Sequence, residues 1–408
     1  MIHKKSLPPL NLNNSMKRSQ MTTFTNRELP DHLAINTLKI NIIDETSIND
    51  ILNAALSMNC RDIYLISNDY IRGRIYNNHV ILSDRVITHD EVRTLLTSMS
   101  SPTEVNRIYS GVPINNRYLL QDRHDRNKYR GFRYSFTKHS AVNSEAFDAA
   151  IRPIPEFAPT TKEIGIGNEI MTPVKEMWKG LMLFIGATGE GKSSSMAAII
   201  RDILESPSNK RILEYARPPE YSFHNINKHP SNHIIHHEIS ETGVGGDLIS
   251  YELANAVSMR KAADWFMVGE MTEPESFNSA ITLSNTGHIV SSTLHANNCA
   301  SAFSRITSLY PPNERESILF NLINEGELMI AQKLLSKTNG GLIAVREIFE
   351  LNYEVKARLR QFNTAHSIGL ECKKILEEQG RTFPQQAKLL LDKGLITLPT
   401  YTAFVKRC

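Results

Sequence analysis

The apolar positions of this chain change period repeatedly, and each change marks an element. NDILNAALSM (49–58) and HDEVRTLLTSM (89–99) space them as amphipathic helices do, whereas RDIYLIS (61–67) alternates as a strand. YIRGRIYNNHVILS (70–83) reads as a hairpin turning about Asn77 and Asn78. Between 117 and 137, RYLLQDRHDRNKYRGFRYSF alternates as strands and is crowded with arginines. Three prolines then break regular structure in IRPIPEFAPTTKE (151–163), which we take as the linker between two parts. A second α/β region follows to about 350, and helical stretches such as SIGLECKKILEEQG (367–380) and PQQAKLLLDKG (384–394) close the chain. Residues 1–30 are polar and without period, as a flexible tail is. The expectation is an α/β protein with a smaller N-terminal part over 31–150, the linker at 151–163, a main part over 164–354 and a helical appendage over 355–408.

Composition narrows the classes. A length of 408 residues allows two or three domains, and 41% hydrophobic with 22% charged residues is ordinary for a globular protein. The net charge of +3 is too small to point to nucleic acid, so no direct nucleic-acid binding is expected. Cys60, Cys299, Cys372 and Cys408 are scattered without C-x-x-C spacing, which fits buried free thiols in a reducing compartment. The N-terminal residues have basic side chains but no apolar core of a signal peptide. No apolar run reaches the ~18 residues of a membrane span. A cytoplasmic protein is expected, with any membrane association made through a partner.

The chemistry begins at residue 181. LMLFI (181–185) is a fully apolar run, as a buried parallel strand should be, and SSSMAAIIRDIL (193–204) has a helical pattern. Between them Gly186, Ala187, Thr188, Gly189, Glu190, Gly191, Lys192 and Ser193 spell G-x-x-x-x-G-K-[ST], the phosphate-binding loop in its required strand–loop–helix context. The glycines let backbone N–H groups converge on a β-phosphate at a helix N-terminus. Lys192 would reach the β- and γ-phosphates, and the Ser193 hydroxyl would hold Mg²⁺; with Ser194, residues 186–194 form the expected ATP site.

Hydrolysis needs a group that orders water. DWFMVGE (264–270) is an apolar strand ending in an acid, so Glu270 emerges at the carboxyl end, where open parallel sheets bind ligands. It is placed to order water near the γ-phosphate or to hold the hydration shell of Mg²⁺. HIVSSTL (288–294) is a third strand candidate, and His295 just past its end falls in the same row.

GATGEGKSS, DWFMVGEMTEPES and NTGHIVSSTLHANN, in that order, resemble the PilT-like ATPases of the type II/type IV secretion superfamily, nearest to the DotB branch of type IVB secretion and the TraJ branch of plasmid conjugation. The likeness covers about 55–350 and is strongest over 180–310. It implies a RecA-like P-loop domain behind a PAS-like N-terminal domain, and a homohexameric ring in which that domain packs on the next subunit. It also implies motion passed to inner-membrane components of a pilus or secretion machine. By motif, Glu270 takes the catalytic glutamate position, His288 and His295 those of the His box, and Arg305 that of a recurring arginine. KYRGFRYSF (128–136) resembles the strand that supplies arginines to the phosphates, making Arg130 and Arg133 candidates, with Arg152 in the linker behind them.

One motif departs. The family's Asp box, of the type E-D-P-I-E, is here RILEYARPPEY (211–221): Pro218 and Glu220 keep their places, but Ala216 and Arg217 stand where the acids should. Glu214 lies two residues earlier on the same side of the strand, and Arg217 would add positive charge near the phosphates. The GEMRD pattern is likewise GEMTE. HPSNHIIHHE (229–238) suggests metal, but it lacks H-E-x-x-H spacing and is read as a surface cluster. Two readings stand beside the motor: a DNA-handling RecA-like motor, and an ATP-binding assembly subunit that hydrolyses weakly.

Overall fold

The protein is described by a computed structural model covering residues 38–75, 78–122, 128–141, 144–240 and 246–408. The expected tail at 1–30 lies outside the described residues.

Six strands form the first sheet: β1 (Asp62–Ile66), β2 (Asp69–Ile75), β3 (Asn78–Ile87), β4 (Ile114–Gln121), β5 (Tyr129–Ala141) and β6 (Ser144–Pro153). Their order is β3-β2-β1-β6-β5-β4, antiparallel throughout. The expected hairpin at 70–83 is present as β2 and β3, but Asn78 is already a strand residue opposite Ile75; residues 76–77 are outside the described set. Helices Ser47–Ser57, His89–Met99 and Pro102–Ile108 bury their apolar stripes with this sheet in one core. His89–Met99 starts where Thr88 and Glu91 form a capping box, each closing a backbone N–H of the other.

The second sheet holds β7 (Gly180–Ile185), β8 (Arg211–Ala216), β9 (His233–Glu238), β10 (Trp265–Glu270), β11 (Ile289–Leu294), β12 (Gly326–Ser336) and β13 (Leu342–Glu350). Its order is β13-β12-β7-β11-β10-β8-β9, parallel except for the β12–β13 hairpin. The strands β7, β10 and β11 begin within one residue of the positions their apolar runs indicate. They read as unbroken apolar runs because both faces are covered. Leu181, Leu183 and Ile185 enter one core, while Met182 and Phe184 enter the other, against helix Lys192–Glu205. The buried hydroxyls of β11 are satisfied by β10: Trp265 Nε1 donates to Ser291 Oγ (3.0 Å), and Ser292 Oγ donates to Gly269 O (3.1 Å).

Helices Tyr353–Leu359, Ala365–Glu378, Phe383–Asp392 and Leu398–Val405 follow, and Ile368, Cys372, Ile375, Phe383 and Phe404 join the core of the second sheet. Helix Ala365–Glu378 crosses helix Cys299–Thr307 so closely that a Cβ on Gly369 would come within 2.9 Å of the Ala300 carbonyl. Cys60, Cys299 and Cys372 are free and buried as expected; Cys408 is free but exposed, because it follows the last turn of the chain's final helix.

Trp265 is 1% exposed and its indole both packs and bonds across the sheet. Trp265→Ala should therefore cost about 3–5 kcal/mol, read as a lower denaturant midpoint with an unchanged slope.

Candidate nucleotide site

The loop that leaves β7 turns into helix Lys192–Glu205 through two left-handed glycines, Gly189 (φ +86°) and Gly191 (φ +78°). Any other residue would be strained there, and the turn presents the helix's free N–H groups to whatever lies in front of it. Gly186 and Gly191 have a second constraint that no phosphate imposes. A Cβ on Gly186 would meet the Gln332 carbonyl at 2.7 Å, and one on Gly191 would meet Gln332 Nε2 at 2.8 Å.

Gln332, buried in β12, is the seat of the loop. Its Nε2 donates to Glu190 O (2.6 Å), while its Oε1 accepts from Ser195 Oγ (2.7 Å) and from Arg346 Nε (2.7 Å). Arg346 continues outward to the carbonyls of Gly165 (2.7 Å) and Ile164 (2.8 Å), which tie the residues just past the linker to the same post. Burial pushes the Arg346 guanidinium down to about 10, which leaves it cationic at neutral pH. The Glu190 carboxylate accepts from Leu334 N, so this side chain faces the sheet and not the ligand space. Sequence reading missed Gln332 and Arg346. The available signal was a glutamine inside the apolar run LMIAQKLL, where a polar group demands partners.

Three strand ends meet in front of the loop. Lys192 Nζ donates to Ala187 O (3.1 Å) and lies 3.3 Å from His295 Nδ1, at the end of β11. His295 Nε2 touches Glu270 Oε1, at the end of β10. That oxygen is buried and has no aligned hydrogen-bond donor among the described residues, so the contact is open to a better donor. Burial lowers the pKa of Lys192, with Glu270, Glu220 and Glu190 opposing that shift.

These groups share a cavity of about 620 Å³ whose walls include Thr188, Gly189, Gly191, Lys192, Ser193, Ser194, Glu220, Glu270 and His295. Ser194 Oγ bonds the Tyr221 hydroxyl (2.6 Å). Glu220 is also reached from the first sheet, by Arg133 Nη1 (2.8 Å). Arg130 is not in the cavity wall and pairs with Glu156; Arg152 pairs with Asp62 (2.6 Å) inside the first sheet. His288 is at the other end of β11, about 20 Å along the strand from His295. There its Nδ1 faces Leu283 O (3.0 Å) and its ring meets Phe266 edge-on, so the structure does not bring it to the cavity. Arg305 is exposed on helix Cys299–Thr307.

The altered Asp box is ordered. Glu214 is buried in the cavity wall and is held by His236 Nδ1 from its partner position on β9. Most of the histidine-rich stretch is the edge strand β9: His233 is exposed, the His236 side chain packs against Glu214, and Lys261 Nζ lies 2.8 Å from His237 Nε2. Arg217 is no free cation either, since it pairs with Glu273 and, at 3.7 Å, with Glu275.

A glycine loop at the end of a parallel strand, with an acid and an imidazole on the two adjoining strand ends, defines a P-loop protein of RecA-like α/β fold. The chain belongs to the family described as Type II/IV secretion system protein, whose sequence profile matches residues 160–382. It is 32% identical over 248 residues to the type IV pilus ATPase PilU of Pseudomonas aeruginosa, covering 60% of this chain and 62% of that protein. It is 28% identical over 258 residues to the type IV pilus retraction ATPase PilT of the same organism, covering 61% and 69%. In structure it matches the Legionella pneumophila ATPase DotB with a TM-score of 0.80 at 23% identity, over 91% of this chain and 99% of that one. The retraction motor PilT with bound ADP gives 0.70 at 26% identity, over 87% and 95%.

Gln332→Leu would leave Ser195, Arg346 and the Glu190 carbonyl without their shared partner. Stability should fall by about 1–3 kcal/mol in denaturant titration, and affinity for MgATP should fall with it.

Proposed function

We propose that this protein is an ATP-hydrolysing motor of a type IV pilus or of a type IVB conjugation or secretion machine, acting as a homohexamer with Mg²⁺. One observation carries the reading: Lys192 at the start of the helix after β7, His295 at the end of β11 and Glu270 at the end of β10 are in successive contact and face a single cavity. The residues present fit a magnesium-bound nucleoside triphosphate. The left-handed glycines Gly189 and Gly191 shape the turn into the helix N-terminus, and among the described residues the buried Lys192 ammonium bonds a carbonyl and an imidazole while a buried oxygen of Glu270 lacks a hydrogen-bond donor.

In this reading the loop amides and Lys192 hold the β- and γ-phosphates, and the Ser193 hydroxyl holds Mg²⁺, which neutralises charge on the phosphates. Glu270 accepts a hydrogen bond from water and aims it at the terminal phosphate. His295 keeps Glu270 in place and links it to Lys192, so that the acid and the ammonium respond to the same ligand. Arg133, which already reaches the cavity wall through Glu220, is the arginine of the first sheet best placed to follow the nucleotide. No helix among the described residues is long and apolar enough to cross a membrane; the likeness to type IV pilus ATPases supports work at the cytoplasmic face of the inner membrane through partner proteins. The small net charge of +3 speaks for protein partners over DNA.

Purified protein should form a six-membered ring and release phosphate only with Mg²⁺. Glu270→Gln should bind ATP normally and lose about 10²–10⁴-fold in turnover, and Lys192→Ala should lose binding. An assembled wild-type ring with no turnover defeats the motor reading, and turnover that rises steeply with added DNA replaces it with the DNA-handling one.

A further inference from the structure

Arg217 stands where the resemblance leads one to expect an acid, and its surroundings are specific. Its guanidinium carbon lies 4.7 Å from the centre of the Tyr251 ring, a cation–π stack on a residue that is itself 2% exposed. Tyr251 is fixed in turn, its backbone N–H donating to Glu275 Oε1 (2.8 Å). The plane of the guanidinium is therefore set from below by a rigid ring. Its edge is set by carboxylates: Glu273 on Nη1 and Glu275 at 3.7 Å from Nη2.

The edge is the weaker restraint. The Glu273 side chain is 41% exposed, and ion pairs of that kind hold loosely. Nη1 has the hydrogen bond to Glu273, whereas the buried Nε has no acceptor among the described residues. A guanidinium carries five N–H donors in a fixed fork, so this one keeps donors in reserve for a bidentate anion. Glu273 also has somewhere else to go. It is the N-cap residue of helix Pro274–Asn285, yet its side chain makes no capping bond while Arg217 holds it. Released, its carboxylate can accept from the helix's free N–H groups at the positive end of the helix dipole. Arg217 and Glu273 both line the cavity that contains Lys192, Glu270 and His295.

We propose that Arg217 is a phosphate ligand supplied in cis, which exchanges Glu273 for the terminal phosphate of a bound nucleoside triphosphate. The inference rests on the ATP reading of the cavity. It makes the altered Asp box a discriminator between triphosphate and diphosphate, in place of a vacant catalytic position.

The test is equilibrium binding of ATP and ADP, each with Mg²⁺, to the full-length protein and its variants. Arg217→Gln should weaken ATP roughly ten- to hundred-fold while ADP stays within about two-fold, the loss expected for one charge-assisted contact. Arg217→Lys, which keeps the charge but not the fork, should fall between the two. Glu273→Gln frees the guanidinium and should tighten ATP, leaving ADP unchanged. The proposal is overturned if ATP and ADP shift together in Arg217→Gln, or if neither shifts and only the melting temperature drops. Arg217 is then a clip between the end of β8 and the helix that follows β10. Where Arg217→Gln fails to fold, unchanged ATP affinity in both Glu273→Gln and Arg217→Lys overturns it equally. Wild-type protein that binds neither nucleotide, or binds both as well after Lys192→Ala, sinks the ATP reading itself. Normal wild-type binding with a flat ATP-to-ADP ratio across the Arg217 and Glu273 variants sinks this inference alone.

Discussion

The register of β11 between β7 and β10 is the constraint on which the site depends. Leu294 lies opposite Ile185, and Thr293 opposite Phe184 on one side and Glu270 on the other. The pairing sets the phosphate loop, His295 and Glu270 side by side at one edge of the sheet. A slip of one residue would send every side chain of β11 to the opposite core, so the register is enforced by burial along its whole length. Trp265 on Ser291 and Ser292 on Gly269 lock it further, because those buried hydroxyls find partners in this alignment. The geometry of the cavity is thus a by-product of a hydrophobic alignment problem solved well away from it.

That dependence also explains what was legible beforehand. Runs such as LMLFI and DWFMVGE declare buried parallel strands by composition alone, and the position of an acid or histidine just past a run places it at the carboxyl edge. Glu270 and His295 could be read for this reason, and so could the loop from its glycines. His288 matched a motif equally well but sits before its strand, on the far edge. The sense of the strand, not the motif, separates the two histidines.

Pairings between distant positions were beyond reach. Nothing near Gln332 in the chain says that its amide will bond Glu190, and nothing in HHE says that His236 will lie opposite Glu214. Such contacts come from strand order, and here strands from widely separated parts of the sequence are neighbours. The Asp box illustrates the cost. Its residues invited a free positive charge at Arg217, and only the fold supplies the two carboxylates and the aromatic ring that surround it.

Gln332 and Arg346 join two parts of the molecule in series. The carbonyls of Ile164 and Gly165, just past the linker, hang on Arg346, Arg346 hangs on Gln332, and Gln332 carries the phosphate loop. The chain that leaves the linker therefore has a hydrogen-bonded connection to the loop that bounds the cavity. By linkage such a connection works both ways: whatever orders the loop would order the chain just past the linker, and the reverse.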